Sequence, residues 1–273
     1  MEFNPEFTLK QLNVNSYIKN CKLLQKSLLL PVKCMEINCG SGYTTRYCLL
    51  PKLQPNSTII GTDNSKTMIE YAKENYTNNG QIDFKVLDIQ TDHLPEEYIG
   101  QFDHIFSFPT VHARTNIIQE FENVYKMLKP GGCFHLGIVT THDAFILYRR
   151  MINHPTFGSY FKEYIAPFHY SINPVREIRQ LLQFFGFSIR YYHPMPLMKY
   201  TSDYLLPYIF SGLSFMDDMS SKQQKAIKNE LTHQFINIEK RVQRVHRNVP
   251  NFNETNIDMY DMLEIYAHKP QKK

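Results

Sequence analysis

Between Val32 and Ile189, short apolar runs alternate with segments whose apolar residues recur at helical spacing, a pattern that predicts strands separated by helices. The implied fold class is α/β, a doubly wound, mostly parallel sheet. The predicted strands are 32–38, 58–62, 82–87, 103–108, 133–139, 187–192 and 259–268, seven in all. Helices are predicted over 42–50, 65–75, 117–128, 144–152, 175–185 and 220–245. Their punctuation is explicit: Pro51 stops the first, Asn64 or Ser65 caps the second, and Lys129-Pro-Gly-Gly132 and Gly186 close two others. Asp103-His-Ile-Phe-Ser-Phe108 is apolar on successive positions, as burial on both faces of a parallel strand requires. After Tyr192 the alternation stops. Residues 194–256 read as helices and loops, a helical cap inserted before the last strand of a single domain spanning 1–273. An insertion there would cover the crevice at the carboxyl ends of the strands, where ligands bind in such folds.

Chemistry is concentrated at the first of those ends. Strand 32–38 breaks into Asn38-Cys-Gly40-Ser-Gly42 before a helical pattern resumes, so backbone amides can approach a ligand with a helix N-terminus behind them. The second strand ends in Asp63, roughly 20 residues beyond Gly42, where a strand–helix–strand unit puts a carboxylate beside ribose hydroxyls. Further acids stand within the first strand (Glu36) and at the end of the third (Asp88, followed by Ile89). A nicotinamide-type fingerprint wants glycines at the first, third and sixth positions of the turn; Asn38, Gly40 and Tyr43 stand there, which argues against hydride transfer.

Composition narrows the partners. The 273 residues are 42% apolar and carry a net charge of only +4, with Lys240, Arg241, Arg244 and Arg247 as the one local basic cluster, which reads as a solvated helix face. Nucleic-acid binding is not expected. No run approaches the roughly 18 apolar residues of a membrane span and no leader pattern opens the chain, so a cytoplasmic location is expected. The five cysteines form no CxxC pair and read as free thiols, and no metal site is expected.

Taken together, Glu36-Ile-Asn-Cys-Gly-Ser-Gly42, Asp63, Asp88 and Lys129-Pro-Gly-Gly132 resemble the class I S-adenosylmethionine-dependent methyltransferases. Over residues 7–192, and most specifically at Gln101-Phe-Asp-His-Ile-Phe-Ser-Phe108, the chain looks like insect juvenile hormone acid O-methyltransferases. The resemblance implies a Rossmann-like seven-stranded sheet and S-adenosyl-L-methionine as cofactor. Gly40 and Gly42 would meet its methionine portion, Asp63 with Asn64 its ribose and Asp88 with Ile89 its adenine; Glu36, Asn38 and Ser107 complete that set. It also implies a small apolar acid as substrate, such as a farnesoic or juvenile hormone acid. Asn15 stands where the family has a carboxylate-holding glutamine, Ala113 where it has a tryptophan, and His112 matches a family histidine. A carboxylate is already ionised at neutral pH and needs no general base. Phe108, Tyr148, Phe157, Tyr160, Phe161, Tyr164, Phe168 and Phe210 could line an apolar pocket, those from 157 to 168 as a lid. The alternative reading is a weakened relative that binds a lipid or the cofactor without turnover. Oligomeric state is open.

Overall fold

The structure is a computed structural model and describes residues 29–77, 80–108, 116–164, 168, 170–201, 206–207, 209–210, 213–246 and 257–271. Strands β1 (Lys33–Ile37), β2 (Thr58–Asp63), β3 (Ile82–Val86), β4 (Phe102–Ser107), β5 (Leu128–His142), β6 (Ser188–Thr201) and β7 (Ile257–His268) form one sheet in the order β3-β2-β1-β4-β5-β7-β6. Pairing is parallel from β3 through β5, and β7 lies antiparallel between β5 and β6. This is the expected mostly parallel, seven-stranded architecture. The chain moves outward from β1 to β3 and then returns to β4 on the other side of β1. The crevice of a doubly wound sheet opens at that reversal, beyond the carboxyl ends of β1 and β4.

Helices α1 (Lys66–Tyr76), α2 (Ile117–Met127), α3 (Asp143–Ile152), α4 (Pro174–Phe184) and α5 (Ser221–His246) follow the predicted positions closely. Ser65 caps α1 by accepting a hydrogen bond from the Met68 amide, and Asn116 caps α2 through the Gln119 amide. The α2 stripe Ile117, Phe121, Val124 and Met127 is buried in one apolar cluster with Ile105, Phe134 and Leu136 of the sheet and Ile178 and Leu182 of α4. The opposite face packs Cys34, Ile59, Phe84, Phe106 and Tyr266 against Ile69 and Ala72 of α1.

Three expectations need correction. The helix predicted over 42–50 is a π-helical turn, Thr45–Leu49, running into a 3₁₀ turn, Leu50–Lys52, where Pro51 enters the chain early enough to need no N–H donor. β5 starts at Leu128 instead of Cys133, pairing Leu128 with Phe102 before a register shift that absorbs the Pro-Gly-Gly segment. β6 runs on to Thr201 through Pro194 and Pro196, which the pattern had assigned to the cap. An edge strand tolerates prolines because one row of its amides has no sheet partner, and a register shift between Met195 and Met198 accommodates the second.

The cap has a core of its own. Ala144, Leu147, Tyr148 and Met151 of α3 pack with Phe161, Ile209 and Leu213 and with Ile227, Leu231, Phe235 and Ile238 of α5. Because α3 begins directly after β5, this layer is anchored at the carboxyl end of the sheet. Several aromatics expected to line a pocket are packing residues: Tyr148 and Phe161 are buried in the cap core, and Phe168 is buried in the α2 cluster. Cys34, Cys39, Cys48 and Cys133 are free and buried. No helix among the described residues is long and apolar enough to cross a membrane.

One ring ties the glycine turn to this frame. A Cβ at Gly42, where φ is +80°, would lie 2.5 Å from Phe84 Cε1 and 2.9 Å from Ala72 Cβ, and one at Gly61 would lie 2.6 Å from the same ring. Gly42 is therefore a packing glycine, committed to β3 and α1. Gly42→Ala adds overpacking to left-handed strain and is expected to cost roughly 2–4 kcal/mol in urea unfolding. Gly40→Ala meets only the strain and should cost about 1 kcal/mol; equal costs would contradict the packing role.

Candidate functional site

The turn after β1 is a succession of left-handed residues: φ is +55° at Asn38, +55° at Gly40 and +80° at Gly42. Asparagine is among the few side chains that enter this region readily, so the backbone path survives the loss of a glycine at 38. The path is fixed by short bonds. Cys39 N–H donates to Thr62 O at 2.9 Å, and Gly42 N–H to Cys39 O at 3.1 Å. Asp63 closes the loop from β2: its Oδ2 accepts from Gly40 N–H and its Oδ1 from Ser65 N–H, both at 2.9 Å. Burial pushes the Asp63 carboxyl up, while the amides of Ser65, Gly40 and Asn64 oppose this by favouring the carboxylate. Three amides leave the two carboxylate oxygens with acceptor capacity to spare.

Above Gly40 the turn is open: a Cβ there would meet no heavy atom within 4 Å. The contrast with Gly42 divides the two predicted glycines. Gly40 lets a ligand approach the backbone, and Gly42 lets the protein approach itself.

Glu36 lies beneath the turn, 2% exposed, and its Oε2 accepts a hydrogen bond from the Thr45 hydroxyl. Burial pushes its carboxyl up to about 8, against the Thr45 hydrogen bond and with help from the nearby Asp63 charge, so it is neutral at pH 7. Glu36 thus props the turn from below.

Asn64 is exposed beside Asp63, and Asp88 is exposed at the tip that follows β3, where its Oδ1 accepts from Gln90 N–H at 2.9 Å. Ile89 is buried in the α2 cluster. Ser107 is buried at the end of β4, in register with Ile37, the residue before the turn. The structure therefore brings Asn38, Gly40, Asp63, Asn64 and Ser107 to one rim, with Asp88 and Ile89 on the adjoining loop. Asn15 and His112 lie outside the described residues.

A residue that pattern reading missed holds that loop. Asn123, 1% exposed on α2, donates through Nδ2 to Ile89 O and Thr91 O, both at 2.8 Å, and Gln119 Nε2 donates to its Oδ1 at 3.1 Å. The available signal was an amide adjoining the apolar stripe of α2, between Phe121 and Val124.

Two predictions follow from the turn. Asn38→Val forces a β-branched side chain to positive φ and should cost about 1–2 kcal/mol, whereas Asn38→Gly should cost nothing in the same urea titration. Because the folded Glu36 pKa is raised, the folded state holds its proton more tightly than the unfolded chain. Its contribution is present below the ordinary carboxyl range and is lost as pH climbs through about 8. Melting temperatures between pH 5 and 8.5 should fall less steeply in Glu36→Gln; parallel curves would refute a neutral buried Glu36.

Comparisons with known proteins agree with this geometry. Residues 35–134 match the family model described as a methyltransferase domain. Over 157 residues the chain is 32% identical to juvenile hormone acid O-methyltransferase of Drosophila melanogaster, covering 56% of this chain and 53% of that protein. Over 158 residues it is 28% identical to the Bombyx mori protein of the same name, covering 56% of each. The chain spans about half the length of the insect relatives it matches. In three dimensions it is similar to a methyltransferase structure from Bacillus halodurans, with a TM-score of 0.59 at 14% identity over 92% of this chain and 98% of that one. The sheet therefore has a Rossmann-like fold, residues 35–134 match a methyltransferase domain, and the chain resembles juvenile hormone acid O-methyltransferase over about half its length.

Proposed function

We propose that this chain transfers a methyl group from S-adenosylmethionine to the carboxylate of a small apolar acid, of which farnesoic acid is the test case. The observation that carries the reading is the open, left-handed turn at Gly40 clasped by the Asp63 carboxylate. These residues fit the cofactor. Room above Gly40 suits its methionine portion, the free lone pairs of Asp63 suit ribose hydroxyls, and Asp88 with the Ile89 backbone adjoins the adenine position. When bound, S-adenosylmethionine supplies a methyl group on a sulfonium.

What the protein must add is position and dryness. A carboxylate needs no base, so the residues around the crevice have to hold one of its oxygens in line with the methyl and exclude water, which favours a step in which opposite charges cancel. The cap, with its own apolar core over the carboxyl end of the sheet, supports the second task. The likeness to the two insect enzymes supports the acid as acceptor. Asn15 and His112 are proposed to contribute hydrogen bonds to it. Location in the cytoplasm is proposed with the small-molecule substrate.

A relative that binds the cofactor without turnover would keep the same turn, and the formation of methyl ester distinguishes the two readings. Incubation with methyl-labelled S-adenosylmethionine and farnesoic acid should yield labelled methyl ester, and Asp63→Ala should reduce the yield at least tenfold. No ester from farnesoic acid or from other apolar acids would overturn the acceptor assignment. Full activity in Asp63→Ala would overturn the site.

A further inference from the structure

The carboxyl rim of the sheet carries a second acid that the cofactor site does not use. Glu264 on β7 is 2% exposed, and its Oε1 has no hydrogen-bond partner among the described residues. Leaving a buried acceptor unpaired costs about 1–3 kcal/mol, so such an atom calls for a role.

Register places it. Ile37 is level with Ser107, Ser107 with Leu136, and the next residue of β5, Gly137, is paired with Glu264. Glu264 therefore stands level with Phe108 and with the start of the glycine turn. Alternation puts it on the face that carries Phe106, His135 and Tyr266, as the Phe106–His135 stack at 4.6 Å and the His135–Tyr266 contact at 4.8 Å show. On that face Gly137 contributes no side chain, so the sheet itself puts nothing between Phe108, just past β4, and Glu264 on β7, two strand spacings or about 10 Å apart. The donor site lies over β1 and β4. The acceptor side of the crevice is then bounded by an apolar ring and one unpaired carboxyl.

A second unpaired buried atom adjoins it. His135, fully buried, shares its Nε2 with His104 Nδ1 at 3.1 Å, and its Nδ1 has no partner. Burial and then the neighbouring His104 push the His135 ring well down, so it is neutral and does not pair with Glu264 as a cation.

We propose that Glu264 binds the acceptor, its carboxyl donating a hydrogen bond to one oxygen of the substrate carboxylate and leaving the other oxygen to face the methyl donor. This rests on the acid-methylation reading. A donor is what a carboxylate acceptor requires, and burial alone pushes Glu264 up to about 7, so much of it carries its proton at neutral pH. Above that range the ionised Glu264 repels the acceptor. The described groups on the same face that could modify this titration are His135 and Tyr266. On α3, which packs against β7, they are Arg149 and Arg150.

The test is calorimetric titration of the full chain with farnesoate, with S-adenosylhomocysteine saturating, at pH 6 and pH 8. Wild type should bind about tenfold more weakly at pH 8, the change in the neutral fraction of one group titrating near 7. Glu264→Gln, which keeps a neutral donor, should bind equally at both pH values. Glu264→Leu should bind at least tenfold more weakly at pH 6 with unchanged S-adenosylhomocysteine affinity. The proposal is overturned if Glu264→Leu binds farnesoate as wild type does, or if Glu264→Gln keeps the wild-type pH dependence; should the leucine variant not fold, the glutamine variant decides alone. Binding of S-adenosylhomocysteine without farnesoate would overturn both this proposal and the acid acceptor. Failure to bind S-adenosylhomocysteine would instead break the methyltransferase reading itself.

Discussion

The bond from Gly40 N–H to the Asp63 carboxylate joins the two strand ends from which the site is built. Asp63 also receives the Ser65 amide, so one side chain sets both the turn after β1 and the entry to α1. The arrangement depends on backbone conformations that most residues avoid: three positive φ angles within five residues, at Asn38, Gly40 and Gly42. Such a path persists only when its surroundings over-determine it. Here Phe84 fills the space under Gly42 and Gly61, Glu36 and Thr45 occupy the underside, and Cys39 is tied back to Thr62.

The rim combines acids whose environments set them apart. Asp63 is partly desolvated but surrounded by donors, which favours its charged form against burial. Glu36, deeper and with a single hydroxyl donor, is pushed to about 8 and stays neutral. Glu264 has an Oε1 with no partner among the described residues and is raised by burial alone. In the proposed roles, a carboxylate that accepts ribose hydroxyls, a neutral acid that props a turn and a neutral acid that donates to an anion would be three uses of the same functional group, distinguished by which hydrogen bonds each is given.

Much of this was legible in the chain because the decisive signals are local. Short apolar runs and helical spacing located seven strands and five helices, and the small residues from Asn38 to Gly42 marked the turn without any knowledge of tertiary structure. The different work of Gly40 and Gly42 was not legible, because it depends on where Phe84 of β3 comes to rest. Pro194 and Pro196 read as the end of strand structure, and only the place of β6 at the sheet edge makes them compatible with it. Asn123 looks like a polar helix position until the Ile89–Thr91 loop is set against it. Glu264 is invisible in the sequence for a similar reason: its significance comes from being paired with Gly137, a register that no short-range pattern encodes.

The central claim is that the Asn38–Gly42 turn and Asp63 form a binding site for S-adenosylmethionine. Calorimetric titration of the wild-type chain with S-adenosylhomocysteine, which shares the adenosine and amino-acid portions and lacks the reactive methyl, tests it without requiring a known acceptor. The account predicts saturable binding of one molecule per chain. Absence of heat and of any change in melting temperature at millimolar ligand would contradict it.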